Sequence, residues 1–206
     1  MPWLYRTYDY GPLTTDISHN LEATAIYELP FGKGKHWLTS GMSANILGGW
    51  QISGLMSDFT GRPFSVVANQ NLNANGSSQR ANCLGEPIQS KTLLHWYDPS
   101  TFAAPSANAF GNCGETAFRG PGLINVDISI QKKFVFRERW NFAFQTEMFN
   151  VGNTPHHASP GYNSSTGTTS ANNVQNSAFM NVTEIANTGR DGIDQRTLRL
   201  GLKLTF

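Results

Sequence analysis

From Thr197 to the final residue the chain alternates strictly: Leu198, Leu200, Leu202, Leu204 and Phe206 fall on one side, Thr197, Arg199, Gly201, Lys203 and Thr205 on the other. Successive side chains of a strand point to opposite faces, so a period of two predicts a strand with one apolar and one polar side. Helical spacing would scatter the leucines around the whole cylinder. The same rhythm recurs upstream. Residues 20–29 set Leu21, Ala23, Ala25, Tyr27 and Leu29 against Asn20, Glu22, Thr24, Ile26 and Glu28. Residues 47–59 set Trp50, Ile52 and Met56 against Gln51, Ser53 and Ser57, with Gly48, Gly49 and Gly54 suggesting a bend or bulge. Ile124, Val126, Ile128 and Ile130 oppose Asn125, Asp127, Ser129 and Gln131. After a tight link, Trp140, Phe142, Phe144, Thr146 and Met148 oppose Asn141, Ala143, Gln145 and Glu147.

The pattern predicts an all-β fold, an antiparallel meander of about five strands of about 10 to 14 residues each. Their length matters, because a globular strand runs about 5–6 residues whereas a tilted strand crossing a bilayer needs about 9–11. Aromatic residues gather near the segment ends, at Tyr27, Phe31, Trp37, Trp50, Phe59, Phe64, Phe134, Phe136, Trp140 and Phe206. Girdles at the two interfaces of a membrane barrel produce that placement. The connections are asymmetric. Those from Pro30 to about Ala44 and from Val135 to Arg139 are short to moderate, while those from about Ala68 to Pro121 and from Gly152 to Asp194 are long and rich in Asn, Ser and Gly. Long loops on one side and short turns on the other fit an outer-membrane barrel better than a compact domain.

Composition changes the picture in two respects. The 206 residues are 39% hydrophobic and contain no apolar run of the eighteen or more residues a membrane helix needs. Barrel strands dilute apolar with polar residues, so they pass unnoticed on an averaged scale. The net charge of +1, from 15 basic and 14 acidic residues, gives no reason to expect a nucleic-acid partner. The start of the chain has neither the basic residues nor the apolar stretch of a secretory signal. The expectation is a C-terminal piece whose targeting segment lies upstream.

Residues 19–35, 47–66, 118–134, 139–157 and 199–206, in this order and spacing, together resemble the last strands of a TonB-dependent outer-membrane receptor of the Oar-like type. The resemblance implies that residues 1–206 are the C-terminal segment of a transmembrane β-barrel with two long extracellular loops, its plug domain and earlier strands absent. It further implies residence in the bacterial outer membrane and uptake of a scarce nutrient, an oligosaccharide or a metal chelate. Partners would be outer-membrane lipid, the missing plug and strands, and the TonB complex through the missing N-terminal part alone. The closing strand also resembles the signal read by the barrel-assembly machinery, with Arg199, Gly201, Leu204 and Phe206 in the signal's places. The polar row Asn125, Asp127, Ser129, Gln145, Glu147, Arg199 and Lys203 would face the lumen.

Candidate chemistry is sparse. Cys83 and Cys113 share the first long loop, and in an oxidising exterior they are expected to form a disulfide. His156 and His157 open the second long loop without a third ligand in metal spacing, and loop solvation is expected of them. Asp191, Gly192 and Asp194 lack the later Glu of a calcium loop and read as a turn. Three Asn-x-Ser/Thr triplets, at Asn75, Asn163 and Asn181, arise from composition. Gly32-Lys33-Gly34-Lys35 lacks phosphate-loop spacing and a following helix. No Ser, His and acid are set out as a nucleophilic group, so neither an enzyme nor a cofactor is expected. The competing reading is a soluble β-sandwich binding module with long loops, whose apolar strand faces would be buried beneath a second layer.

Overall fold

The computed structural model describes residues 7–69, 78–136, 140–162, 170–185 and 195–205. In chain order its elements are β1 (Asn20–Glu28), α1 (Gly41–Leu47), β2 (Trp50–Phe59), β3 (Pro63–Phe64), β4 (Val67–Asn69), β5 (Ser78–Arg80), β6 (Asn82–Cys83), β7 (Phe102–Ala103), β8 (Phe118–Arg119), β9 (Leu123–Phe136), β10 (Trp140–Phe149) and β11 (Thr197–Thr205). None of its helices is long and apolar enough to cross a membrane. The chain divides into two compact units.

The sheet unit comprises Leu21–Asp58, Ile124–Pro155 and Gly189–Phe206. Its strands run in the order β1-β2-β9-β10-β11, a meander of five. They are 9, 10, 14, 10 and 9 residues long, enough for a tilted crossing of a bilayer. Antiparallel register fixes the faces, because Glu147 lies opposite both Ser129 and Arg199, and Gln145 opposite both Gln131 and Gly201. Polar side chains of three strands therefore share one side. The other side collects Ile128, Ile130, Phe142, Phe144, Met148, Leu198, Leu200, Leu202 and Leu204.

That apolar side is open. Leu198, Leu200 and Leu202 are 59%, 68% and 74% exposed, values incompatible with a strand packed beneath a second layer of a sandwich. The soluble alternative loses its defining feature here.

Two details differ from the sequence reading. Residues 41–47 form α1, so the second long strand begins at Trp50 and a helix does follow the Gly-Lys-Gly-Lys segment. Gly41 and Gly49, at φ +81° and +73°, break the extended backbone on either side, and the Gly48 N–H donates to Ala44 O to close a helical turn. The alternation also breaks at Lys132, which lies opposite Phe144 on the apolar side and is buried.

The loop unit comprises Met1–Asn20, Phe59–Leu123 and His156–Thr188. The two long connections do not behave as open, polar loops. They fold around Phe64, Val66, Ala81, Phe102, Cys113, Phe118, Phe179 and Met180. Phe118 stands edge-on to Tyr97 and steeply inclined to Phe102, with ring centroids 5.5 and 5.2 Å away, and Phe179 closes on Phe102 at 5.6 Å. Backbone bonds tie the second connection to the first, from Val174 N to Val67 O (2.9 Å), Trp96 N to Met180 O (2.9 Å) and Val182 N to Leu93 O (2.7 Å). A disulfide joins Cys83 to Cys113, 30 positions apart, with Cys113 inside the core.

Candidate functional site

The loop unit holds a cleft of about 550 Å³, within the roughly 300–1,000 Å³ range of small-molecule sites. Its wall comes from four pieces of chain: Thr14, Thr15 and Ile17; residues 59–65; Pro121 and Leu123; and residues 157–162 with Asn172.

Hydrogen bonds tie these pieces to one another and to their surroundings. Thr60 N donates to His19 O at 3.0 Å, and Gly120 N donates to Arg62 O at 3.1 Å. The Arg119 guanidinium donates to Gly61 O at 3.0 Å and also grips the Asp16 carboxylate, so one side chain fastens the N-terminal segment to the 59–65 segment. Arg119 is in turn fixed, because its carbonyl accepts from the Trp96 indole (2.8 Å) and its N–H donates to the Tyr97 hydroxyl (3.2 Å). Asn172 donates to Ser65 O at 2.9 Å. Gly61 permits the tightest approach: a Cβ there would meet Gly120 O at 1.8 Å. Arg80, buried in the same unit, is paired with Asp9 and lies 3.8 Å from Glu115.

The lining combines apolar walls with a few polar groups. Ile17, Phe59, Pro63, Phe64, Pro121, Leu123 and Pro160 supply apolar surface. Arg62 and His157 are the basic groups, and among the described residues no carboxylate lines the cleft. The Asp16 carboxylate nearby is already engaged by Arg119. Arg62 is exposed, with Thr14, Thr15 and the Tyr162 hydroxyl on the same lining. Such a surface suits a hydroxylated ligand with negative charge, which the guanidinium can grip in bidentate fashion.

Sequence reasoning left these residues unassigned. Arg62 lies between Gly61 and Pro63, just past the strand read over residues 47–59. A charged residue in a Gly-x-Pro turn was its only signal. His157 lines the cleft and bridges to Ile185, whereas His156 is 2% exposed, which corrects the expectation that both are solvated. The disulfide belongs to the core of this unit, and neither cysteine lines the cleft. Asn181 is half-buried, while Asn75, Asn163, Asp191, Gly192 and Asp194 lie outside the described residues.

The remaining sequence candidates sit on the sheet. Asn125 is buried and donates to the Asp127 carboxylate (2.8 Å), which also accepts from Asn150 N (2.9 Å). Gln145 donates to Glu147 (2.9 Å), and the Arg199 guanidinium lies 4.9 Å from the centre of the Phe149 ring. Ser129 and Lys203 extend this polar side. Gly201 and Leu204 belong to β11, and Phe206 lies outside the described residues. The polar row of the sheet and the cleft of the loop unit are thus two separate sets of residues.

A family model described as an outer membrane beta barrel domain matches residues 2–197. No curated protein and no solved structure matches the chain.

Proposed function

The chain belongs to the outer membrane β-barrel domain family and resides in the bacterial outer membrane, and on that premise we propose that it is the C-terminal barrel segment of an Oar-like TonB-dependent receptor. The observation that supports a segment of a larger barrel is the sheet's pair of open edges. Among the described residues, β1 and β11 each have a neighbour on one side only. Lipid offers no water to unpaired N–H and C=O groups, so a wall spanning the bilayer must close on itself through further strands.

In this reading the apolar side meets lipid, and the polar row of Asn125, Asp127, Ser129, Gln145, Glu147, Arg199 and Lys203 faces the lumen, against plug or water. The long connections face the cell exterior and the shorter β1–β2 connection faces the periplasm, following the asymmetry of outer-membrane barrels. The cleft around Arg62 takes part in capturing the nutrient, an oligosaccharide or a metal chelate, with the apolar wall and hydroxyls gripping its body. The work is binding and passage, without catalysis. Release inward depends on the plug and the TonB complex, which act through parts of the receptor beyond this segment. The barrel-assembly machinery would read β11 through Arg199, Gly201, Leu204 and Phe206.

Uptake measurements test the reading. Cells carrying and lacking the gene are compared for accumulation of labelled acidic oligosaccharides and ferric chelates, with and without a proton uncoupler. The expected result is loss of one ligand's accumulation on deletion and the same loss with uncoupler. Accumulation that depends on the gene but ignores the uncoupler would rule out the TonB-dependent mechanism.

A further inference from the structure

The connection between β1 and β2 is built the wrong way round for water. Within the sheet unit, α1 buries Ala44 and turns Met42 and Ile46 outward, 79% and 57% exposed, with Trp37 at 60% and Leu38 at 41% beside them. Ser43 and Asn45 are exposed as well, so α1 leaves its apolar residues without a core, whereas a helix on the surface of a soluble protein buries its apolar stripe.

The position of α1 is fixed by specific bonds. Lys132 donates its ammonium hydrogens to Asn45 O (2.8 Å) and to Ile46 O, at the C-terminal end of α1. The Trp50 indole donates to the same Ile46 O at 3.1 Å. Lys132 shares the apolar side of the sheet with Phe144 by register, and the Trp50 ring lies 6.4 Å from that of Phe144. The helix end is therefore tied to the apolar side of the wall. Gly32 and Gly48 allow the backbone to double back beneath it; a Cβ on Gly32 would meet Gly48 Cα at 2.7 Å.

We propose that the β1–β2 connection is an interfacial anchor, with Trp37, Leu38, Met42 and Ile46 seated in the bilayer at the boundary between lipid headgroups and acyl chains. The side of the sheet that carries α1 is the side an outer-membrane barrel turns to lipid, and Phe134 and Trp140 stand at the same end of the strands, each 42% exposed. Aromatic residues at that level form the girdle of a barrel, and α1 extends the girdle outward. Lys33, Lys35 and His36, exposed in the same connection, supply a polar edge for the headgroups. Lys132 gains from the arrangement as well. A lysine on a lipid-facing side is costly, and here its ammonium is enclosed by two carbonyls and by the Phe134 and Trp50 rings at 4.2 and 5.1 Å. The inference rests on the outer-membrane wall alone and is independent of what the receptor imports.

Spin labelling in isolated outer membranes tests it. With Cys83 and Cys113 joined in the disulfide, Met42→Cys, Leu200→Cys and Leu94→Cys each present a single reactive thiol. Collisions of the label with oxygen, which concentrates in lipid, are compared with collisions with a water-soluble nickel chelate. The expected result is oxygen-dominated relaxation at Met42 and Leu200 and nickel-dominated relaxation at Leu94, with Met42 at a depth of about 5–10 Å. Nickel-dominated relaxation at Met42 with an oxygen-dominated Leu200 would overturn the anchor and leave the barrel intact. Shielding of Met42 from both reagents would also overturn it, because a protein and not lipid would then cover the segment. Nickel dominance at Leu200 as well would overturn the lipid-facing wall together with the anchor.

Discussion

Single residues set the properties of the loop unit. Removing the Cys83–Cys113 disulfide frees a loop of 30 positions, which in the chain-entropy model lowers stability by roughly 3–4 kcal/mol. Cys83→Ser is therefore expected to expose the loop unit to protease in intact outer membranes at denaturant concentrations the parent withstands, and added reductant should reproduce the effect in the parent. Gly61→Ala introduces a Cβ where Gly120 O already stands and should disorder the cleft, seen as lost ligand protection of the 59–65 segment with the barrel still assembled. Asp98 caps the turn at residues 99–101, and the Ser100 N–H (2.9 Å) and hydroxyl (2.8 Å) it accepts hold its carboxyl below the ordinary 3.8. A carboxyl whose folded value is depressed contributes stability above its unfolded value and loses that contribution as pH falls through the folded one. The stability gap between parent and Asp98→Ala, read from loop-unit proteolysis, should thus be full at neutral pH and close progressively below about pH 3.8.

At the scale of elements, the long strands were legible because one physical rule, opposite faces for successive side chains, writes itself into local sequence. Asn125 to Gln131 and Trp140 to Met148 could be assigned to their faces before any partner was known, and the register agrees with those faces. The short helix α1 was not legible. Its seven residues make under two turns, too short for an amphipathic pattern to stand out, and its place depends on Lys132, nearly ninety positions away. The core of the loop unit was hidden for the same reason. Phe64, Phe102, Phe118 and Phe179 follow no period, since they meet through short strands and turns and not through a regular face. Cleft residues such as Arg62 inherit that obscurity. The two-faced wall makes its own prediction. Leu200→Arg places a charge on the lipid side near the middle of β11 and should cost about 2–4 kcal/mol at the bilayer midplane, whereas Lys203→Gln on the polar side should leave assembly unchanged. Heat-modifiable mobility of the barrel in detergent gels distinguishes the two variants.

For the molecule as a whole, the two units use apolar residues in opposite ways. The loop unit gathers Phe64, Val66, Phe102, Phe118, Phe179 and Met180 into a core stapled by a disulfide, although Leu13, Leu84, Ile88 and Leu94 stay exposed. The sheet unit displays its apolar residues, which is tolerable only where lipid takes the place of a second layer. Strand length and, among the described residues, the open edges of the sheet agree with that one physical requirement. The most direct test is photolabelling of outer membranes with a carbene precursor confined to the lipid phase, followed by residue-level mass spectrometry. The account predicts modification at Leu198, Leu200, Leu202 and Phe142, with Gln145, Glu147 and Arg199 unmodified. Equal labelling of both sets, or leucines of β11 untouched by the probe, would contradict it.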